Sequence, residues 1–151
     1  MTTRSRVYNS LLQRARKANS LRVDYFVSIH FNAFSRSSAN GSEVLIYSRN
    51  SSSRGLAQQV LDRIVALGFR DRRVKPQNLV VLRETNMPAM LIECCYLTNH
   101  SDMERFNPQT MAAAIVNGLV GEEPEPEPVD DDELIGVLRI TKNTVAKPST
   151  E

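Results

Sequence analysis

Apolar positions along the chain follow two patterns, one with the period of an amphipathic helix and one of short continuous runs typical of buried strands. Read in order, they predict helices over 4–19 and 56–67, strands over 24–30, 43–47, 79–82 and 89–92, and two further helices starting near residues 101 and 107. Strands interspersed with helices are typical of an α/β protein. We therefore predict a mixed, mostly parallel sheet flanked by helices.

The pattern changes at residue 121, where proline and acidic residues begin to alternate. Prolines and like charges keep a segment extended and unable to bury apolar surface, so residues 121–133 are interpreted as a linker. Residues 134–141 have the composition of one strand, and a single strand does not make a domain. The predicted organisation is a domain over 1–120, the linker, and the start of an incomplete second module over 134–151.

The overall composition is that of one domain with its own core: 151 residues, of which 41% are hydrophobic and 24% charged. No apolar stretch approaches the ~20 residues of a membrane span, so we expect none. The polar, basic N-terminus lacks the apolar segment of a secretory signal.

Charge is divided unevenly along the chain. The net charge of +2 is the balance of +8 in residues 1–120 and −6 in residues 121–151. A basic domain is compatible with an anionic polymer, either nucleic acid or cell wall, although a solvated surface rich in arginine explains the charge more simply. The aromatic content of 6%, the lack of Trp and the scattered basic residues argue against nucleic acid as a partner.

Two reactive side chains are predicted at the ends of buried strands. His30 ends one apolar run and Glu93 directly follows another. Ligands of open α/β sheets bind at the carboxyl ends of the strands, so we expect both groups at one sheet edge. The pair suggests metal-assisted hydrolysis, with His30 on the metal and Glu93, its pKa raised by burial, moving protons. The structural alternatives are a hydrogen-bonded histidine and a carboxylate paired with an arginine.

Several spaced motifs resemble a known family. They are Ser28-Ile29-His30-Phe31-Asn32-Ala33, Val81-Leu82-Arg83-Glu84-Thr85, Met87-Pro88-Ala89, Leu91-Ile92-Glu93 and Leu97-Thr98-Asn99, preceded by Thr3-Arg4, Leu12, Arg14 to Arg16 and Ala18-Asn19. In this order they resemble the later motifs of the zinc-dependent N-acetylmuramoyl-L-alanine amidases. The resemblance extends from about residue 3 to residue 119.

The resemblance implies hydrolysis of the amide bond between N-acetylmuramic acid and L-alanine in peptidoglycan, with Zn²⁺ as cofactor. It implies that His30 is a zinc ligand and that Glu93 activates the water and then protonates the leaving amine. Asn32 and Arg83 are candidates for substrate binding, with a turn former and an ion pair with Glu84 as their structural alternatives. The substrate implies a periplasmic or extracellular location at the cell wall, and we expect a monomer.

The resembled family takes its other zinc ligands from a Gly-His-Gly-Gly turn and a later Glu, and this chain contains neither motif. A catalytic zinc usually has three protein ligands. We therefore expect the first strands of the family fold to lie before Met1, leaving an exposed sheet edge. A fragment, an internal start and a degenerate copy all fit. In each case we expect weak zinc binding and little activity of this chain alone. The alternative function is a non-catalytic peptidoglycan-binding protein.

The remaining candidates are expected to be structural. Cys94 and Cys95 are adjacent, and neighbours on a strand point to opposite faces, so no disulfide is expected between them. Cys94 is expected to pack in the core instead of acting as a nucleophile. His100 precedes a helix and is expected to be an exposed turn residue.

Overall fold

A computed structural model of the protein describes residues 3–121, and side chains from Ser5 onwards. The second module, and the linker after Gly121, lie outside the described residues. The elements are α1 (Thr3–Leu21), β1 (Phe26–Asn32), β2 (Ser42–Ile46), α2 (Arg54–Ala66), β3 (Asp71–Pro76), α3 (Val80–Arg83), β4 (Ala89–Tyr96), α4 (His100–Arg105) and α5 (Pro108–Val120). None of the helices in this part of the chain is long and apolar enough to span a membrane.

The four strands form one mixed sheet in the order β1-β4-β2-β3. The pairs β1–β4 and β2–β3 are parallel, and the central pair β4–β2 is antiparallel. This confirms the predicted mixed, mostly parallel sheet. Among the described residues, β1 is an edge strand with a partner on one side only, and Ile29 on it is 58% exposed.

Helices cover both faces of the sheet. On one face, α2 and α5 pack over Val44, Ile46, Met90 and Ile92. On the other face, α1 and α3 pack over Leu45, Ala89 and Leu91. Glu43 precedes Val44 on β2, and Glu93 follows Ile92 on β4. Because neighbours on a strand point to opposite faces, both glutamate side chains lie on the face covered by α1 and α3.

The prediction of a strand over 79–82 is wrong. Residues Val80–Arg83 form the short helix α3, and Thr85 Oγ1, two residues after its end, donates to the carbonyl oxygens of Val81 and Leu82. The fourth strand of the sheet is instead β3, whose sequence Asp-Arg-Arg-Val-Lys-Pro lacks an apolar run. A short apolar run fits a buried helical turn as well as a strand, and an edge strand buries too little side-chain surface to need such a run.

A bulge interrupts the pairing of β1 with β4. His30 is paired with Glu93 and Asn32 with Tyr96, so β4 advances three residues while β1 advances two. Cys94 and Cys95 both lie in the core cluster beneath α2 and α5. The expectation that they point to opposite faces is therefore wrong, because the bulge breaks the alternation. They are free thiols, as expected.

Candidate active site

Three ionisable side chains form a row across the sheet. His30 of β1 is the register partner of Glu93 of β4, and Glu93 is the register partner of Glu43 of β2. Register partners project from the same face, and neighbouring strands lie about 4.8 Å apart. The sheet therefore brings the two candidate catalytic groups side by side and adds a second carboxylate next to them.

The placement of His30 and Glu93 at the last residues of their strands is wrong in detail. β1 continues for two residues beyond His30, and β4 continues for three residues beyond Glu93. β4 continues because Cys94, Cys95 and Tyr96 are buried as well. The charged residue before them interrupts the apolar run, so the sequence pattern predicts the end of the strand too early. Parallel pairing, and not a shared strand end, is what brings the two groups together.

The Glu93 carboxylate is partly desolvated and incompletely hydrogen-bonded. Its Oε2 atom is buried and has no hydrogen-bond partner among the described residues, where no ion pair joins it to an arginine either. Burial raises the pKa of Glu93, and the charge of Glu43 raises it further. A raised pKa brings a carboxyl group closer to the range in which it can both accept and donate a proton.

The His30 imidazole is held by its own strand. Its Nε2 atom lies 2.7 Å from Ser28 Oγ in a hydrogen bond. Burial lowers the pKa of His30, and the charge of Arg14 on α1 lowers it further. Both effects favour the neutral ring, which is the form that binds metal ions.

Sequence reasoning missed the group around Glu43. Glu43 as a whole is 8% exposed. Its carboxylate pairs with Arg72 Nε at 3.3 Å and with Lys75 Nζ, and accepts a hydrogen bond from Asn32 Nδ2 at 3.2 Å. Arg72 also lies over the ring of Tyr96, 5.0 Å from its centroid. One signal was available, since Glu43 is the only charged residue in an otherwise buried strand.

Replacing Glu43 by glutamine is expected to lower the pKa of Glu93. The substitution removes the neighbouring negative charge and leaves Arg72 and Lys75 without their carboxylate, and both changes favour ionised Glu93. Carbon-13 NMR titration of the Glu93 carboxyl measures the shift. Glu104→Gln on the exposed side of α4 is the matched control and should leave the titration unchanged. An unchanged or higher pKa in Glu43→Gln would contradict the electrostatic account.

Asn32 and Arg83 both make structural contacts. The Asn32 amide donates to Glu43, and its Oδ1 accepts from the backbone N–H of Ala33 at 2.9 Å. Arg83 pairs with Glu84 at 2.9 Å and donates to Asn78 Oδ1 at 2.7 Å. These contacts favour the structural alternatives for both residues, and substrate binding by either stays a prediction.

The lesser candidates have structural environments. His100 is exposed at the start of α4 and pairs with Glu104 at 3.2 Å. Burial raises the pKa of Cys94 to about 12 and that of Cys95 to about 11, so neither thiol supplies a thiolate at neutral pH.

Asp102 is a buried carboxylate that fixes the surroundings of the site. It is 2% exposed, and its Oδ2 accepts from the backbone N–H of Tyr96 at 2.9 Å and of Gly41 at 2.8 Å. Gly41 has φ +97°, and a Cβ there would lie 2.3 Å from the carbonyl oxygen of Arg70. Asp102 thus ties the end of β4 to the start of β2.

A groove of about 720 Å³ runs along the open edge of β1. Residues of α1 form one wall, including Arg14 and Lys17, and Ile115 and Leu119 of α5 form the other. Ser28 and His30 line its floor, so the ring is accessible from this side. Within residues 3–121, no three His, Cys, Asp or Glu side chains are grouped as metal ligands.

Comparison with known proteins decides the family. The model of the N-acetylmuramoyl-L-alanine amidase family matches residues 1–121. The chain belongs to this family. Its α/β architecture is also that of a solved family member, the N-acetylmuramoyl-L-alanine amidase from Clostridium difficile 630, with a TM-score of 0.68 and 39% identity. The expected resemblance is confirmed.

Similar proteins include a bacterial amidase and a phage endolysin. The chain is 40% identical over 102 residues to the N-acetylmuramoyl-L-alanine amidase LytC of Bacillus subtilis, and 38% identical over 109 residues to the endolysin of Bacillus phage SPP1. These matches cover 66% and 68% of this chain, but 21% and 40% of the two relatives. The Clostridium difficile match covers 74% of this chain and 63% of the solved one. This member of the family therefore spans less than two thirds of each.

Proposed function

We propose that this amidase chain is part of a peptidoglycan hydrolase that cleaves the amide bond between N-acetylmuramic acid and L-alanine. The observation that supports this most directly is the pairing of His30 with Glu93 on adjacent parallel strands, in a chain of the amidase family. The substrate would place the protein at the cell wall, outside the cytoplasm.

The residues of the site fit one side of a zinc centre. A neutral imidazole lies beside a carboxylate whose buried Oε2 lacks a hydrogen bond, as expected beside a metal and its water. His30 would hold the ion, and the other ligands would come from outside residues 3–121. When bound, Zn²⁺ lowers the pKa of water to about 7 and polarises a carbonyl.

Glu93 has the environment of a group that moves protons. As the carboxylate it would accept a proton from the attacking water, and as the acid it would donate that proton to the nitrogen of the departing L-alanine. The raised pKa makes the first step easier, because it makes the carboxylate a stronger base, and the adjacent Glu43 helps to maintain it. The Arg72–Lys75–Glu43 group would form the wall of the site on the β3 side.

A non-catalytic peptidoglycan-binding protein is the second candidate. It is favoured by one observation, that residues 3–121 provide no group of three metal ligands. Such a protein would use the groove beside β1, with Arg14 and Lys17 in its wall, to bind the wall polymer without cleaving it.

The two candidates differ in zinc content and muropeptide release. We expect this chain alone to bind zinc weakly and to release little muropeptide from purified peptidoglycan. A longer chain with an in-frame upstream Gly-His-Gly-Gly segment is expected to hold about one zinc and to release muropeptides. Full release with one bound zinc in the short chain would refute the expected impairment. Wall binding by the longer chain, with neither zinc nor release, would favour the binding protein.

A further inference from the structure

The side chains of Ser28 and His30 form a hydrogen bond within β1. Residues two apart on a strand share a face, and Ser28 Oγ lies 2.7 Å from Nε2 of the ring. Ser28 is the register partner of Leu91, one pleat before the His30–Glu93 pair. The hydroxyl and the ring are therefore fixed relative to one another by regular β-structure, with no loop between them.

The hydrogen bond gives the two nitrogen atoms of the His30 ring different roles. A neutral imidazole carries one proton, so one nitrogen is a donor and the other has the lone pair that a metal ion needs. Because Nε2 faces Ser28, Nδ1 is the nitrogen that stays available. Histidines that bind metals usually donate their second ring N–H to a nearby acceptor, which sets the tautomer and the ring orientation.

We infer that Ser28 is a positioning residue for His30: its hydroxyl oxygen accepts a hydrogen bond from Nε2–H and so presents the unprotonated Nδ1 to a divalent metal ion. This inference rests on the proposed function, since it takes His30 as a zinc ligand. It adds that Nδ1 is the ring atom that binds the metal ion and that Ser28 is the side chain that leaves this atom unprotonated. Ser28 itself touches neither metal nor substrate in this role.

The chain permits a direct test because it contains only two histidines. His100 on α4 has a side chain that is 88% exposed, so it serves as the internal reference. Nitrogen-15 NMR of the two rings in the metal-free chain shows which nitrogen is protonated, and titration with Zn²⁺ shows which one responds. We expect the proton of His30 on Nε2 and the zinc response on Nδ1.

Three variants separate positioning from a general effect on the fold. Ser28→Ala is expected to weaken Zn²⁺ binding at His30 by about 10- to 100-fold. Ser28→Thr keeps the hydroxyl and is expected to restore binding to within about threefold. Ser10→Ala makes the same change on α1 in the same groove and should bind like the original chain.

The role of Ser28 would be overturned by a proton on Nδ1 of His30 or by a zinc response at Nε2. It would also be overturned if Ser28→Ala bound Zn²⁺ as tightly as the original chain. The outcome is separable from that of the proposed function. Lack of muropeptide release with the Nδ1 response intact would count against the amidase activity alone. Lack of any zinc response at His30 in the chain extended upstream, where full binding is expected, would remove both proposals.

Discussion

Asp102→Ala is expected to lower the free energy of unfolding by about 3 kcal/mol or more. The substitution leaves the buried N–H groups of Gly41 and Tyr96 without an acceptor, and each such loss costs about 1–3 kcal/mol. Because Asp102 is 2% exposed, water cannot replace the carboxylate without opening the structure. Urea unfolding followed by circular dichroism measures the change.

Asp102→Asn is the matched variant, because its amide oxygen can still accept from both N–H groups. We expect it to lose less than half of the stability that Asp102→Ala loses. Asp62→Ala on α2 removes an exposed carboxylate that accepts from Gln58, and is expected to change stability by less than about 1 kcal/mol. A loss below 1 kcal/mol in Asp102→Ala would show that the two hydrogen bonds do not hold the strands together.

Glu93→Gln is expected to slow muropeptide release by about 10²- to 10⁴-fold. Glutamine keeps the shape of the side chain but cannot accept the proton of the attacking water, and general acid–base catalysis is typically worth that factor. The measurement is the rate of new amino termini in purified peptidoglycan, made on whichever form, short or extended upstream, has measurable activity. Zinc content should stay the same, since Glu93 is proposed as a proton carrier and not as a ligand.

Glu104→Gln provides the control for this experiment. Glu104 lies on the exposed side of α4 and pairs only with His100 among the described residues, so the rate of Glu104→Gln should match that of the original protein. A Glu93→Gln rate within threefold of the original would rule out the proton-transfer role. Loss of zinc together with activity would instead assign Glu93 to the metal.

Helices and buried strands with a regular apolar period were predictable from the sequence. α1, α2 and α5 each show the expected spacing, and β1 and β2 lie where their apolar runs indicate. β3 was missed because an edge strand gains its order from backbone pairing with β2, which leaves no hydrophobic pattern. α3 was mistaken for a strand because four apolar or mixed residues do not distinguish a helical turn from a strand.

The candidate site was predictable only in part, since motifs identify residues and not their neighbours. His30 and Glu93 could be named from the sequence, but their direct pairing depends on a strand register that no local pattern specifies. Glu43 meets Arg72 and Lys75 across 29 and 32 residues of chain. Asp102 lies 61 residues from Gly41. Such contacts form only when the sheet assembles. In the sequence, nothing distinguishes these residues from charged residues on the surface.

The bulge at Cys94 and Cys95 makes the length of β4 as important as its composition. Deleting either cysteine would remove the bulge and place Tyr96 two residues after Glu93, so Tyr96 would stay opposite Asn32 and on the face it shares with Glu93 and Arg72. Deleting both cysteines would instead place Tyr96 directly after Glu93, on the opposite face, and would move its N–H away from Asp102. The strand should therefore tolerate the loss of one of these two codons better than the loss of both.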